Sequence, residues 1–253
     1  MSVPPAGPSA GSAFARRSEA RTAVVWDALQ DVLDQHGGAA GGAEVLDVGG
    51  GTGGFAVRVA ERGHRVTVVD PSPDALAILD RRSGETGVAD RVTGVQGDLA
   101  TVPDLVEHGS VDVVLCHGVL EVVDDPEVAL ASLAGVLRPG GTLSLLVSQR
   151  HAAVVARAMA GHFRQARDLL DGHLPDGAPR RFTAEETTTL LTGAGFTDVS
   201  LHAVRVFSDL VPSSLVDLEP GASAALAALE EAVAGRPEYL TLATQVHALA
   251  TRA

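Results

Sequence analysis

The 253-residue chain has almost no cysteine: one, Cys116, inside an apolar run. A lone thiol builds neither a disulfide framework nor a zinc cluster, and Cys116 reads as a small core residue. Aromatic residues are 3% of the chain, so the interior must be packed from Val, Leu and Ala within a 45% hydrophobic total. Positive charge is also scarce, with 19 Lys and Arg against 32 Asp and Glu and a formal net charge of -13. That excludes a generally basic, phosphate-coating surface but leaves room for a local basic patch. No stretch has the apolar length of a membrane span. The nine histidines are scattered without a helical metal-ligand pair, so no metal is expected. The first twelve residues are rich in Pro, Gly, Ser and Ala and lack the basic start and apolar core of a secretory leader. Residues 1–14 are therefore expected to be a flexible tail, 15–253 a single domain, and the protein cytoplasmic.

Apolar periodicity orders the rest. Val24, Val25, Leu29, Val32 and Leu33 make a helical stripe over Ala15–His36, closed by the glycines after His36. Short apolar runs predict strands at Glu44–Val48, Arg65–Val69, Val92–Val95, Val111–Cys116 and Thr142–Val147. Helices are expected between them at Gly53–Arg62, from Ser72 or Pro73 to about Arg82, and at Pro126–Leu137. Continuously apolar strands alternating with helices predict a mostly parallel sheet covered on both faces. Beyond Gln149 the alternation fails: helices over Ala152–Leu170, Thr183–Gly193 and Ala222–Ala234 accompany strands over Thr197–Phe207 and Tyr239–Ala250. This suggests an antiparallel edge.

The sharpest segment is Val45-Leu46-Asp47-Val48-Gly49-Gly50-Gly51-Thr52-Gly53-Gly54, a strand feeding a glycine loop. Glycines let the chain turn tightly and bring backbone N–H groups close to a ligand. Gly49, Gly51 and Gly54 also satisfy dinucleotide spacing, and Asp70, at the end of the second strand, suits a ribose hydroxyl in either case. Asp47 separates the two readings. A carboxylate there repels a pyrophosphate but can serve the ammonium of a zwitterionic amino-acid ligand. Gly97-Asp98 follows the third strand, where an acceptor can take an adenine amino group. Val111 to His117 ends at the ligand crevice expected at the carboxyl ends of the strands. Asp112 reads as a strand-end residue.

Together with Leu137-Arg138-Pro139-Gly140-Gly141-Thr142-Leu143, these features resemble the class I S-adenosylmethionine-dependent methyltransferases. That resemblance implies a Rossmann-like α/β fold, a mostly parallel sheet of about seven strands with helices on both faces and an antiparallel C-terminal edge. Cys116-His117-Gly118-Val119-Leu120-Glu121 with Asp125-Pro126, then Arg205-Val206-Phe207 with Asp209, and Tyr239, Thr241, Leu242 with His247 are similar to signatures of the bacterial tRNA 5-carboxymethoxyuridine methyltransferases. The likeness runs from about Arg21 to Arg252. It implies S-adenosyl-L-methionine as cofactor, with contacts from Arg21, Gly49, Gly50, Asp70, Gly97, Asp98, Leu99 and His117; Asp47 and Gly51 join them from the loop reading. Two stretches depart from the family pattern: Ala13–Glu19 replaces a Tyr-Gly-Thr-Thr-Lys-Gly segment, and a lysine-rich run is reduced to Arg180-Arg181.

A carboxylate acceptor is already ionised at neutral pH and needs no general base, so the protein's task is to orient an anion. Arg suits that role, and Arg205, Arg150 and His151 are the substrate-side candidates. The partner is tRNA or, given the acidic charge and the reduced basic run, a small-molecule acceptor. A non-catalytic module that binds S-adenosylmethionine is the remaining alternative. No membrane partner is expected.

Overall fold

The computed structural model describes residues 10–36, 41–173, 175, 177–218 and 221–253, with the backbone alone at 10–21, 213, 217 and 218. Among them a seven-stranded sheet has β1 (Glu44–Val48) and β4 (Val111–His117) at its centre. It continues outward through β2 (Arg65–Asp70) to β3 (Val92–Gln96) on one side. On the other lie β5 (Leu137–Ser148), β7 (Gln245–Arg252) and β6 (Phe196–Val204). The order is β3-β2-β1-β4-β5-β7-β6. The first five strands pair in parallel, and β7 runs antiparallel between β5 and β6. The mostly parallel sheet with its antiparallel C-terminal edge is as the alternation predicts.

The two faces are buried separately. On one, α1 (Ala10–His36) lays Trp26, Leu29, Val32 and Leu33 against Val45, Val113 and Leu115, beside α2 (Ala56–Glu61) and Leu79 of α3 (Pro73–Thr86). On the other, Ala129, Leu130 and Leu133 of α5 (Pro126–Val136) and Leu191 of α8 (Ala184–Gly193) cover Leu46, Val114, Cys116 and Leu145. Local chemistry sets several starts. Ser72 caps α3 by accepting the Ala75 N–H, Asp125 caps α5 by accepting those of Glu127 and Val128, and each is followed by proline at the first helical position. Thr183 and Glu186 cap α8 reciprocally. Asp112, read as a strand-end residue, accepts the Glu44 N–H at 2.8 Å and pairs with Arg138.

Several boundaries differ from expectation: α1 begins at Ala10 rather than Ala15, within the expected tail, and β5 begins at Leu137 rather than Thr142, while four others differ for a backbone reason. The first helix after the glycine loop begins at Ala56 rather than Gly53, because Gly51 and Gly53 take left-handed φ of 54° and 79°. The predicted helix 152–170 is two, α6 (Arg150–Met159) and α7 (Phe163–Leu170), broken at Gly161 with φ 78°. The strand expected from Tyr239 starts only at Gln245, since Pro237 opens the short helix α11 (Pro237–Leu240). The strand expected to reach Phe207 stops at Val204, because Arg205 adopts φ 61°. Two short helices, α4 (Val102–Leu105) and α9 (Ser213–Leu218), precede α10 (Ala222–Ala234) and carry too few residues for a periodic signal.

Candidate active site

The carboxyl ends of β1, β2 and β4 open into a cavity of 640 Å³, a size suited to a nucleoside ligand. Its lining includes Gly49, Asp70, Asp98, Leu99, Gly118, Val119, Val122 and Val128. Gly49 has φ 70° and sends its N–H to the Val69 carbonyl at 2.7 Å, and Val119 fills the space a side chain at Gly49 would need. The loop is thereby held against the end of β2. Asp70 reinforces it: one carboxylate oxygen accepts the Gly51 N–H at 2.9 Å and the other the Ser72 N–H at 2.9 Å. Each oxygen keeps a further lone pair for a ligand hydroxyl.

Beneath the loop lies Asp47, 3% exposed, with Oδ2 buried and unpartnered. A side chain at Gly50 would collide with that carboxylate. Burial, and secondly the neighbouring Asp70, pushes the Asp47 carboxyl up to about 7. An unpaired buried carboxylate under a glycine loop is a ready partner for a ligand cation. With Asp70 at the rim and an apolar cavity wall, the residues present fit the sulfonium nucleoside amino acid that the loop sequence suggests.

The remaining candidates fall in different places. Gly97 packs rather than lines: a Cβ there would meet Leu105 at 2.6 Å and Thr101 at 2.8 Å. Asp98 is exposed at the rim and accepts the Thr101 N–H at 3.1 Å, while the Leu99 side chain is buried. His117 sits beside the cavity at the end of β4, its ring edge-on to Phe55 at 4.8 Å, and burial pushes it down to about 4. Phe55 in turn lies 6.2 Å from Trp26, over which the Arg58 guanidinium stacks at 3.9 Å. Arg21 lies on α1, and its side chain falls outside the described residues.

On the substrate side, Arg150 turns away from this cavity. It pairs with Glu186 at 2.9 Å, donates to the Arg181 carbonyl, and lines a second cavity of 770 Å³ with Arg180, Arg181 and Phe182. His151 is exposed on the first turn of α6, near Gln149 Nε2 at 3.3 Å. Arg205 follows the ligand end of β6; it donates to Asp209 at 2.6 Å and Gln245 at 3.5 Å, and its Nε is buried without a partner. Phe55 and Ser144 carry no local signal that would place them near the site, and Gly118 and Val119 are marked only as the residues following His117.

The sheet order, the loop and its carboxylates define an S-adenosylmethionine-dependent methyltransferase. Residues 46–145 match the family model described as a methyltransferase domain. Solved structures share the fold: an S-adenosylmethionine-dependent methyltransferase from Thermotoga maritima, titled a possible histamine N-methyltransferase, superposes with TM-score 0.56 at 21% identity over 95% of this chain and 96% of its own. Geranyl diphosphate methyltransferase in complex with its methyl donor gives 0.57 at 18% identity over 89% and 85%. Within that class the chain belongs to the tRNA 5-carboxymethoxyuridine methyltransferase family. It is 30% identical to the Escherichia coli enzyme of that name over 244 residues, 93% of this chain and 89% of the relative. The ubiquinone biosynthesis O-methyltransferase of Xanthomonas euvesicatoria is 38% identical over 133 residues, only 52% of this chain and 54% of the relative.

Proposed function

We propose that the enzyme methylates the carboxylate of 5-carboxymethoxyuridine at the tRNA wobble position. The observation that carries this reading is the continuity of the likeness to the tRNA enzyme through 93% of the chain, past the cofactor loop and into β6 and β7. Those elements bring Arg205, Asp209 and Gln245 together at the ligand end of the sheet. Asp209 and Gln245 hold the guanidinium, whose Nε is buried without a partner; a carboxylate is the anion that an arginine fork recognises. The strained backbone at Arg205 is a further mark of a functional position.

S-adenosylmethionine, when bound, supplies an electrophilic methyl group. In this reading Asp47 and Asp70 would hold its ammonium and ribose, with Gly49, Gly50 and Gly51 giving backbone room and Asp98 and Leu99 flanking the nucleobase side. No general base is needed for an ionised acceptor, and His117 stays neutral near pH 7. Arg150 acts in this reading as an anchor for the start of α6 through Glu186. A small-molecule acceptor is the second reading, favoured by the net charge of -13 and by Arg180-Arg181 standing where a longer basic run would serve RNA.

Labelled methyl donor offered with tRNA lacking the modification, with the free modified nucleoside and with metabolite extract decides between them. We expect label in tRNA, and Arg205→Gln to lower kcat/KM about 10- to 100-fold, the worth of one charge-assisted contact. Label confined to the metabolite fraction would overturn the tRNA assignment.

A further inference from the structure

The charge of the chain is unevenly spread. Residues 150–181 carry six of its 19 Lys and Arg but only three of its 32 Asp and Glu, with three of its nine histidines besides. This stretch leaves the sheet at Gln149 and returns at Phe182, where the two residues pair as a parallel bridge. The Arg150 N–H donates to the Phe182 carbonyl at 3.0 Å, and the Phe182 N–H to the Ser148 carbonyl at 2.9 Å. Both ends are thereby fixed at the carboxyl end of β5, which lies parallel to β4 on the side of the sheet where the cofactor cavity opens. Between them α6 and α7 pack chiefly on each other, with no residue of α6 buried and only Ala166 of α7.

Few of these arginines are neutralised. Among the described residues only Arg150 and Arg167 have ion-pair partners, Glu186 and Asp171. Arg157 donates to the neutral Gln165, and Arg164 is exposed and makes no hydrogen bond. Burial first, then the neighbouring Arg157, pulls the Arg181 guanidinium below its ordinary value, against the attraction of Glu121. Like charges held this close are relieved by an added anion. Arg180 and Arg181 share the second cavity with Asp124, Asp125, Glu127 and Glu185, whereas Arg157 and Arg164 do not line it.

Apolar surface lies beside the charge. Met159 and Phe163, each 72% exposed, flank the turn at Gly161. Phe163, Arg167 and the exposed Leu170 are spaced i, i+4, i+7 and share one face of α7. A guanidinium in the middle of that face is out of place in a seam for a second copy or among lipid tails. An exposed aromatic interleaved with arginines suits unpaired bases and their phosphates.

We propose that the α6–α7 hairpin is the surface on which the tRNA anticodon arm docks, with Arg157 and Arg164 meeting phosphates and Phe163 stacking an unpaired loop base. The proposal rests on the tRNA reading above. It also explains how a chain of net charge -13 can hold RNA: the basic charge is concentrated beside the site.

The test follows methyl transfer to tRNA by the full chain over a salt series. Arg157→Gln with Arg164→Gln should raise the KM for tRNA at least tenfold, leave kcat within about twofold, and lower the slope of log KM against log salt by about one. Phe163→Ala should raise KM about tenfold with the slope unchanged, because stacking carries no counterion. Affinity for S-adenosylhomocysteine should be the same in all. In the wild type, tRNA should protect the amides of α6 and α7 from hydrogen exchange; bound tRNA without that protection overturns the proposal whether or not the variants fold. Wild-type KM and slope in both variants overturn this surface and leave the tRNA reading standing. Label that never enters tRNA overturns that reading, and this surface with it. A dimer, or binding to anionic vesicles, that is lost in Phe163→Ala gives the face to a second copy or a membrane and likewise overturns it.

Discussion

Asn in place of Asp47 separates the cost of a buried carboxylate from its use. Burial moves this carboxyl from 3.8 to about 7. At roughly 1.4 kcal/mol per pKa unit, ionising it in the ligand-free fold costs on the order of 4 kcal/mol. Because the folded value lies above the unfolded one, the favourable contribution is complete below pH 3.8, is lost as pH rises to about 7, and stays lost above that. Between pH 5 and 8 the wild type should therefore lose roughly 2 to 3 kcal/mol relative to Asp47→Asn, which has nothing to titrate there. Urea denaturation of the ligand-free proteins at pH 5, 6, 7 and 8 reads this directly. Every other titrating group is common to both proteins, so the difference between the two curves belongs to Asp47. Binding should move the other way: the variant is expected to hold S-adenosylhomocysteine at least tenfold more weakly at pH 8, where the wild-type carboxylate is charged and meets the ligand ammonium. Parallel stability curves, or undiminished affinity in the variant, would refute the reasoning that this carboxylate is kept unpaired for a cation.

Three further outcomes follow from other parts of the structure. Gly50→Ala drives a methyl into the Asp47 carboxylate, so it should abolish measurable S-adenosylhomocysteine binding by calorimetry while leaving the far-ultraviolet spectrum folded. Glu230, buried on α10, accepts the N–H groups of Val206, Phe207 and Ser208 and the Ser208 hydroxyl. Glu230→Gln loses the charge and about half of that acceptor capacity, so it should cost about 2 to 4 kcal/mol in denaturant melts and weaken acceptor turnover by loosening the segment behind Arg205. His117, His202 and His247 all have folded pKa values lowered by burial. Their contribution is complete above about pH 6.5 and lost as pH falls through their lowered folded values, about 4 for His117. His202→Phe, which titrates nowhere, should accordingly flatten the acid limb of the stability curve.

Much of the sheet was legible because its central strands are buried on both sides and therefore read as short runs dominated by Val and Leu. Val111 to His117 and Glu44 to Val48 are of this kind, and each is bounded by a turn signal. The cofactor side was legible for a related reason. Asp47 is adjacent in sequence to the glycine turn, and Asp70, which ends the next strand 19 residues beyond Gly51, comes beside the loop once β1 and β2 pair in parallel. The substrate side was less so. Nothing local distinguishes Arg150 from Arg205; only packing turned the first onto Glu186 and left the second with an unpartnered Nε.

What the sequence by itself determined, then, is the alternation of strand and helix, the glycine turn, and Asp47 just before it, since each depends on neighbours a few residues away. The tertiary structure alone decided that Ser144 meets His117 and His247, that Glu230 gathers the 206–208 segment, and that Arg205 and Gln245 share one end of the sheet. Those contacts join residues 22 to 103 positions apart. They arise from strand register and helix docking, which no periodicity within one segment encodes.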